Sequence, residues 1–288
     1  MFPCTSSKFG LGGLSSISEL KVAVRSENLI MALQAWSVSS VRSAGDNSGA
    51  VPFPVMGWED FSDGNNNLEI INGNDTSPSF QNGFVFIDPS LVSVDKATMT
   101  LQDLTKGNDF LPWDWVNEAA LTFTPRAMTY SFWINTTPNT GGTQVIMDCG
   151  RTGLGTGGFM ITRQDITEVF GVGFNSSTAS NGVWQDGTNK SAEDGTKQLV
   201  TVTTNASGHV ALYVNTTLIG TSSQNDFSTG HQMSSTISTG SKFRINGLSN
   251  TTAFNKAELE IGGVFVWKGI ELSLSEIGEV YSQTVSYV

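Results

Sequence analysis

The sequence has little charge, little histidine and few cysteines. Asp, Glu, Lys and Arg make up 14% of its 288 residues, and His and Cys occur twice each. Cys4 and Cys149 cannot build a Cys-rich zinc site. They leave one disulfide or two free thiols, and the apolar run around Cys149 favours free thiols. No stretch approaches about 18 uninterrupted apolar residues, so no membrane-spanning helix is expected. The start, MFPCTSSKFGLGGLSS, lacks a basic region followed by an apolar one, so no Sec-type signal peptide is expected. The charge that is present is one-sided, with a net −11. An acidic surface repels phosphate backbones and argues against nucleic acid as a partner.

What the chain does have is 31 glycines and an abundance of Ser, Thr and Asn. From about residue 51 onward its apolar residues recur every second position. MTYSFWINT sets Met128, Tyr130, Phe132 and Ile134 on one face, and TEVFGVGF does the same with Phe170, Val172 and Phe174. QLVTVTT, TQVIMDC, GFMITR, GHVALYV, KFRING and AELEIGGVFVW are further strands, separated by clusters of turn residues. Many short strands with one apolar face predict an antiparallel sandwich or barrel.

The two ends differ. In residues 1–50, Ser16 and Glu19 have capping-box spacing, and Ile17, Leu20, Val24 and Met31 fall near one face of a helix. The alternation of LKVAV supports a strand there almost as well. We read 1–50 as an arm for anchoring or oligomerisation and 51–288 as the β domain. At the other end Ser273 and Glu276 form a second capping box, with Leu274, Ile277 and Tyr281 at helical spacing. This short helix is expected to cover a sheet edge or the open end of the sandwich.

Four segments in order carry a family likeness: MTYSFWINT, QLVTVTTNASGHVALYVNTTLIGTS, LEIGGVFVWKG and IELSLSEIGEVYS. They resemble the laminin-G-like, concanavalin A-like lectin/glucanase jelly rolls, and the set Leu274, Glu276, Ile277 and Tyr281 is the most specific part. The resemblance implies an all-β, antiparallel jelly-roll sandwich. The chain departs from the pattern in three places, one of them a missing Trp common just before the strand QLVTVTT, where Lys197, Gln198 and Leu199 stand. Where the family often has Tyr-Val-Asp-Gly, this chain has Tyr213, Val214, Asn215 and Thr216, which removes a hairpin signal and an Asp that a calcium site would use. The glucanase branch carries Glu-x-Asp-x-Glu on one strand; here Glu258 and Glu260 are followed by Gly262, so the catalytic set is incomplete.

Among candidate sites, FLPWDWVNE places Trp113 and Trp115 two apart around Asp114. Paired indoles stack on sugar rings and a carboxylate accepts hydroxyl hydrogen bonds, although core packing explains the same residues. Trp58, and Trp184 beside Asp186, are flanked by polar turn residues and are expected to be exposed, which suits binding. His209 and His231 lie in turn or loop contexts that do not suggest a triad. Gly153 to Gly158 match G-x-G-x-x-G, but an alternating segment follows where a nucleotide site needs a helix. No metal or other cofactor is expected. Calcium is the one ion the turn residues Asp60 to Asn67 suggest, without an EF-hand spacing.

Lectin-like domains meet ligands outside the cell, and a chain with no recognisable export signal reconciles this if it is assembled onto a virus or phage particle. The expectation is a non-enzymatic virion protein, a capsid decoration or tail appendage. It would be held by other virion proteins or by itself through the arm and would adhere to host glycans. The alternatives are a secreted or surface carbohydrate-binding module and a glycoside hydrolase or lyase acting through Glu258 and Glu260.

Overall fold

The computed structural model describes residues 22–36, 41–43, 53–72, 79–81, 84–86, 98–117, 122–136, 143–149, 158–164, 169–175, 182–185, 195–222, 243–245, 254–256 and 259–288. Two sheets lie face to face. In the first, the strands Thr217–Thr221, Val210–Val214, Lys197–Thr204, Met128–Thr136 and Leu259–Lys268 are antiparallel neighbours in that order. The last of these is flanked on its far side by Leu29–Gln34 along one half and by Phe84–Phe86 along the other. The second sheet runs Gly182–Gln185, Val169–Asn175, Gly158–Gln164, Thr143–Cys149, Phe243–Ile245, Thr98–Leu101 and Leu68–Asn72, also antiparallel. A parallel pairing sets Thr143–Cys149 beside Phe254–Lys256. The strand Phe53–Trp58 joins the layers: Phe53 pairs with Phe80 in the first sheet, and Trp58 with Leu68 in the second. This is the expected jelly-roll sandwich.

Period-two alternation builds the core between the sheets. Met128, Tyr130, Phe132 and Ile134 of the central strand meet Met147, Cys149, Phe159, Ile161, Phe170 and Val172 of the opposite sheet. Each such large side chain contributes about 1.5–3 kcal/mol when fully buried. The Tyr130 hydroxyl is satisfied by donating to the Phe110 carbonyl at 2.7 Å.

The first sheet is apolar on its outer face too. Trp133, Leu199, Phe265 and Trp267 point away from the core and form a second cluster with Val22, Val24, Ile277 and Val280. The helix Leu274–Thr284 therefore lies across a sheet face, and does not cap an edge or close an open end as expected. Four outward apolar side chains need a third layer, and this helix with the chain around Val24 supplies it. Its start is the predicted capping box: the Ser273 Oγ accepts from the Glu276 N–H, and a Glu276 carboxylate oxygen accepts from the Ser273 N–H at 2.8 Å.

The helix expected near the N-terminus is overturned where the structure describes it. Val24 joins the outer cluster and Met31 the inter-sheet core, so they share no helical face. Instead Leu29–Gln34 is a strand, with Leu33 opposite Val264 and Met31 opposite Val266. A boundary at residue 50 thus does not separate this strand from the sandwich. Residues 1–21, with Ser16 and Glu19, lie outside the described residues. The hairpin at Asn215 forms without Asp-Gly because Asn tolerates the left-handed φ of 56° found there. Its side chain accepts from the Leu199 N–H at 3.0 Å.

Candidate functional site

Among the described residues, the structure does not gather those singled out in the sequence. Trp58 is 0% exposed, inside the core. It ends a strand, and the polar run that suggested exposure begins only after it. Trp113 is also buried, at 1%, and Trp115 is half-buried against the core, so their shared face looks inward. Both pack on Phe123, with ring centroids 5.4 and 6.4 Å away. Burial leaves Trp113 no face to stack on a sugar, which corrects that expectation for it, while Trp115 keeps part of its surface exposed. Asp114 points outward with a side chain 60% exposed, paired to Arg126 at 2.6 Å. The same guanidinium donates to the carbonyls of Asn108, Asp109 and Leu111, tying the antiparallel strand pair Trp113–Asn117 and Thr122–Pro125 to the end of the short 3-10 helix Leu104–Phe110. Trp184 lies on Gly182–Gln185, opposite Val172, and its side chain lies outside the described residues, as does Asp186.

Of the remaining candidates, Glu260 is half-buried and accepts from the Asn135 amide at 3.0 Å, while Glu258 lies outside the described residues. His209 is exposed, and His231 and residues 153–157 are outside the described set. Cys149 is a buried free thiol, and burial first, then the neighbouring Asp148 carboxylate, pushes its pKa well above the ordinary thiol value. Among the described residues no three His, Cys, Asp or Glu side chains are grouped to hold a metal ion.

The loop considered for calcium has a different task. Both oxygens of Asp60 are taken by protein donors. Oδ1 accepts from the Ala32 N–H at 2.7 Å and the Ser62 N–H at 2.8 Å, and Oδ2 from the Ser62 hydroxyl at 2.8 Å and the Asn66 N–H at 2.7 Å. The Phe61 N–H donates to the Ala32 carbonyl and the Asn66 amide to that of Ile30, so the loop is zipped along the strand Leu29–Gln34. Gly64 is required there, because a Cβ would overlap the Ile30 carbonyl oxygen. Lys106 closes the far side by donating to the Gly64 carbonyl at 2.8 Å.

This loop, the outer face of the strand Leu29–Gln34 and the chain at Val22 to Ser26 enclose a groove of about 210 Å³. Val22, Leu29, Ala32 and Phe61 supply apolar walls, and Ser26, Gln34, Ser62 and Asp63 polar ones. The wall at Val22 to Ser26 is pinned: the Val24 carbonyl accepts from the Trp267 indole at 2.8 Å, and Arg25 pairs with Glu276 at 2.6 Å. The Ser273 backbone N–H, with Arg25 adding to it, holds the Glu276 carboxyl below the usual carboxylate range. Sequence reading missed this groove because its walls are far apart in the chain. The run Asp60 to Asn67 was its one visible sign, read for a metal instead.

The profile of the concanavalin A-like lectin/glucanases superfamily matches residues 113–259. Among solved structures, the receptor binding domain of botulinum neurotoxin D is similar, with a TM-score of 0.55 and 15% identity over 90% of this chain and 54% of that one. The binding domain of botulinum neurotoxin DC in complex with SialylT gives 0.51 and 15% over 89% and 52%. This chain thus spans about half the length of either, and at such identity the likeness is one of fold. No curated protein matches. With the profile spanning residues 113–259 of 288 and the expected two-layer sandwich in place, the chain belongs to the concanavalin A-like lectin/glucanase superfamily.

Proposed function

We infer that this protein is a non-enzymatic glycan-binding module displayed on a virion, where it decorates the capsid or forms part of a tail. The family supports binding, and one packing detail carries the non-enzymatic part. The third position of the glucanase carboxylate pattern is Gly262, and a Cβ there would lie 2.9 Å from the Phe84 ring. No acidic side chain fits. Glu260 is engaged by Asn135, as a structural carboxylate would be. The neurotoxin binding domains of like fold, one of them solved with SialylT, support a receptor-directed role.

The placement on a particle draws on the fold's independence from disulfide bonding at Cys149, a buried free thiol suited to folding in a reducing cytosol before assembly. Weak single sites would gain by repetition over one particle. The test has two arms. Mass spectrometry of gradient-purified particles is expected to find the chain, and its recovery only from particle-free culture fluid would point to a secreted module. A polysaccharide panel is expected to yield no reducing ends; release abolished by Glu260→Gln would establish a hydrolase instead.

A further inference from the structure

We propose that the groove between Phe61 and Ser26 is the glycan site, and that it takes a single neutral hexose unit and rejects sialylated ones. This rests on the binding reading above and adds the place and the ligand class. A hexose ring presents a C–H face and a belt of hydroxyls. The groove matches both, with Val22, Leu29 and Phe61 for the ring face and Ser26 and Asp63 for hydroxyls. At about 210 Å³ it is smaller than the ~300–1,000 Å³ of pockets that enclose drug-sized ligands, so one ring enters and the rest of the glycan stays outside.

Charge sets the selectivity. Among the described residues the lining holds the Asp63 carboxylate and no cationic side chain. The nearby Arg25 is committed to Glu276. A carboxylate accepts sugar hydroxyls through strong, charge-assisted bonds and repels a sialic acid carboxylate. The whole chain, at −11, adds to that repulsion. The walls are also preformed. Four donors hold Asp60, which fixes Phe61, Ser62 and Asp63 against the strand Leu29–Gln34, so little ordering is left for the ligand to impose.

The test uses the full chain against lactose, maltose, mannobiose, chitobiose and sialyllactose, by titration calorimetry and on an immobilised array. At least one neutral probe is expected to bind, and sialyllactose about tenfold or more weaker than lactose if lactose is bound. Phe61→Ala is expected to weaken the neutral probe about tenfold or more. Asp63→Lys, an exposed change, is expected to weaken it similarly and to narrow the gap to sialyllactose. Melting curves control for folding, and Asp63→Lys keeps the test valid if Phe61→Ala does not fold. Neutral binding unchanged in both variants would overturn the site while leaving the glycan reading intact. Equal affinity for lactose and sialyllactose would overturn the charge argument. Silence from every probe would overturn the glycan reading itself.

Discussion

The indole N–H of Trp133 donates to the Thr284 hydroxyl at 2.7 Å, linking the middle of the central strand to the last turn of the C-terminal helix. Both side chains are buried, and the Tyr281 ring sits 5.4 Å from that of Trp133. The Thr284 hydroxyl in turn donates to the Val280 carbonyl at 2.7 Å. Thr284→Val keeps the shape and leaves a buried N–H without an acceptor, at a cost of about 1–3 kcal/mol. Urea unfolding should show the loss as a lower midpoint at unchanged slope.

The capping box gives a pH-dependent prediction. Glu276 has its folded pKa depressed, so its contribution is present above the unfolded value of about 4.3 and is lost as pH falls through the folded one. Ser273→Ala removes the cap oxygen and should cost about 1 kcal/mol at neutral pH. It should also partly flatten the fall in stability below about pH 4.3, because the Ser273 hydroxyl donates to the Glu276 carboxylate at 2.8 Å while the Ser273 N–H and Arg25 remain. Thermal melts of both proteins from neutral to acid pH check this; parallel pH profiles would refute it.

These two contacts show what a sequence can and cannot disclose. The capping box is local: two residues three apart define it, and Ser273 and Glu276 do what their spacing said. The strand Met128–Thr136 was legible for the same reason, since alternation is written in consecutive residues. The outward role of Trp133 was not, because one face of a strand looks like any other until a helix is known to lie on it. Trp58 was misread as exposed because polarity was averaged over neighbours that the backbone then folds away. The groove at Phe61 depends on Ser26 and Gln34 meeting a loop some thirty residues on, and no period announces such a meeting.

Two glycines make a paired prediction of opposite sign. At Gly64 a Cβ would overlap the Ile30 carbonyl oxygen and crowd the Asn66 amide, both of them fixed. Gly64→Ala should destabilise by about 1–3 kcal/mol and loosen the groove wall. At Gly278, inside the helix Leu274–Thr284, a Cβ meets nothing within 4 Å. Gly278→Ala should stabilise by about 0.5–1 kcal/mol through helix propensity. Denaturation curves of the two variants should therefore move in opposite directions.

Cys149 supplies a probe of the whole sandwich. It is 0% exposed in the inter-sheet core, among Met147, Tyr130 and Phe159, and its thiol is held neutral well above the ordinary thiol pKa by burial and by Asp148. Thiolate is the reactive form, so both exclusion and protonation block modification in the native state. Labelling of Cys149 by an aromatic disulfide reagent, followed by peptide mass spectrometry, should be undetectable in native buffer at pH 8. It should appear in urea at the rate of global unfolding, because the strand Thr143–Cys149 is bonded on both sides and opens only with the sheet. Fast labelling in native buffer would mean that the second sheet opens on its own, and the two layers would then have separate stabilities.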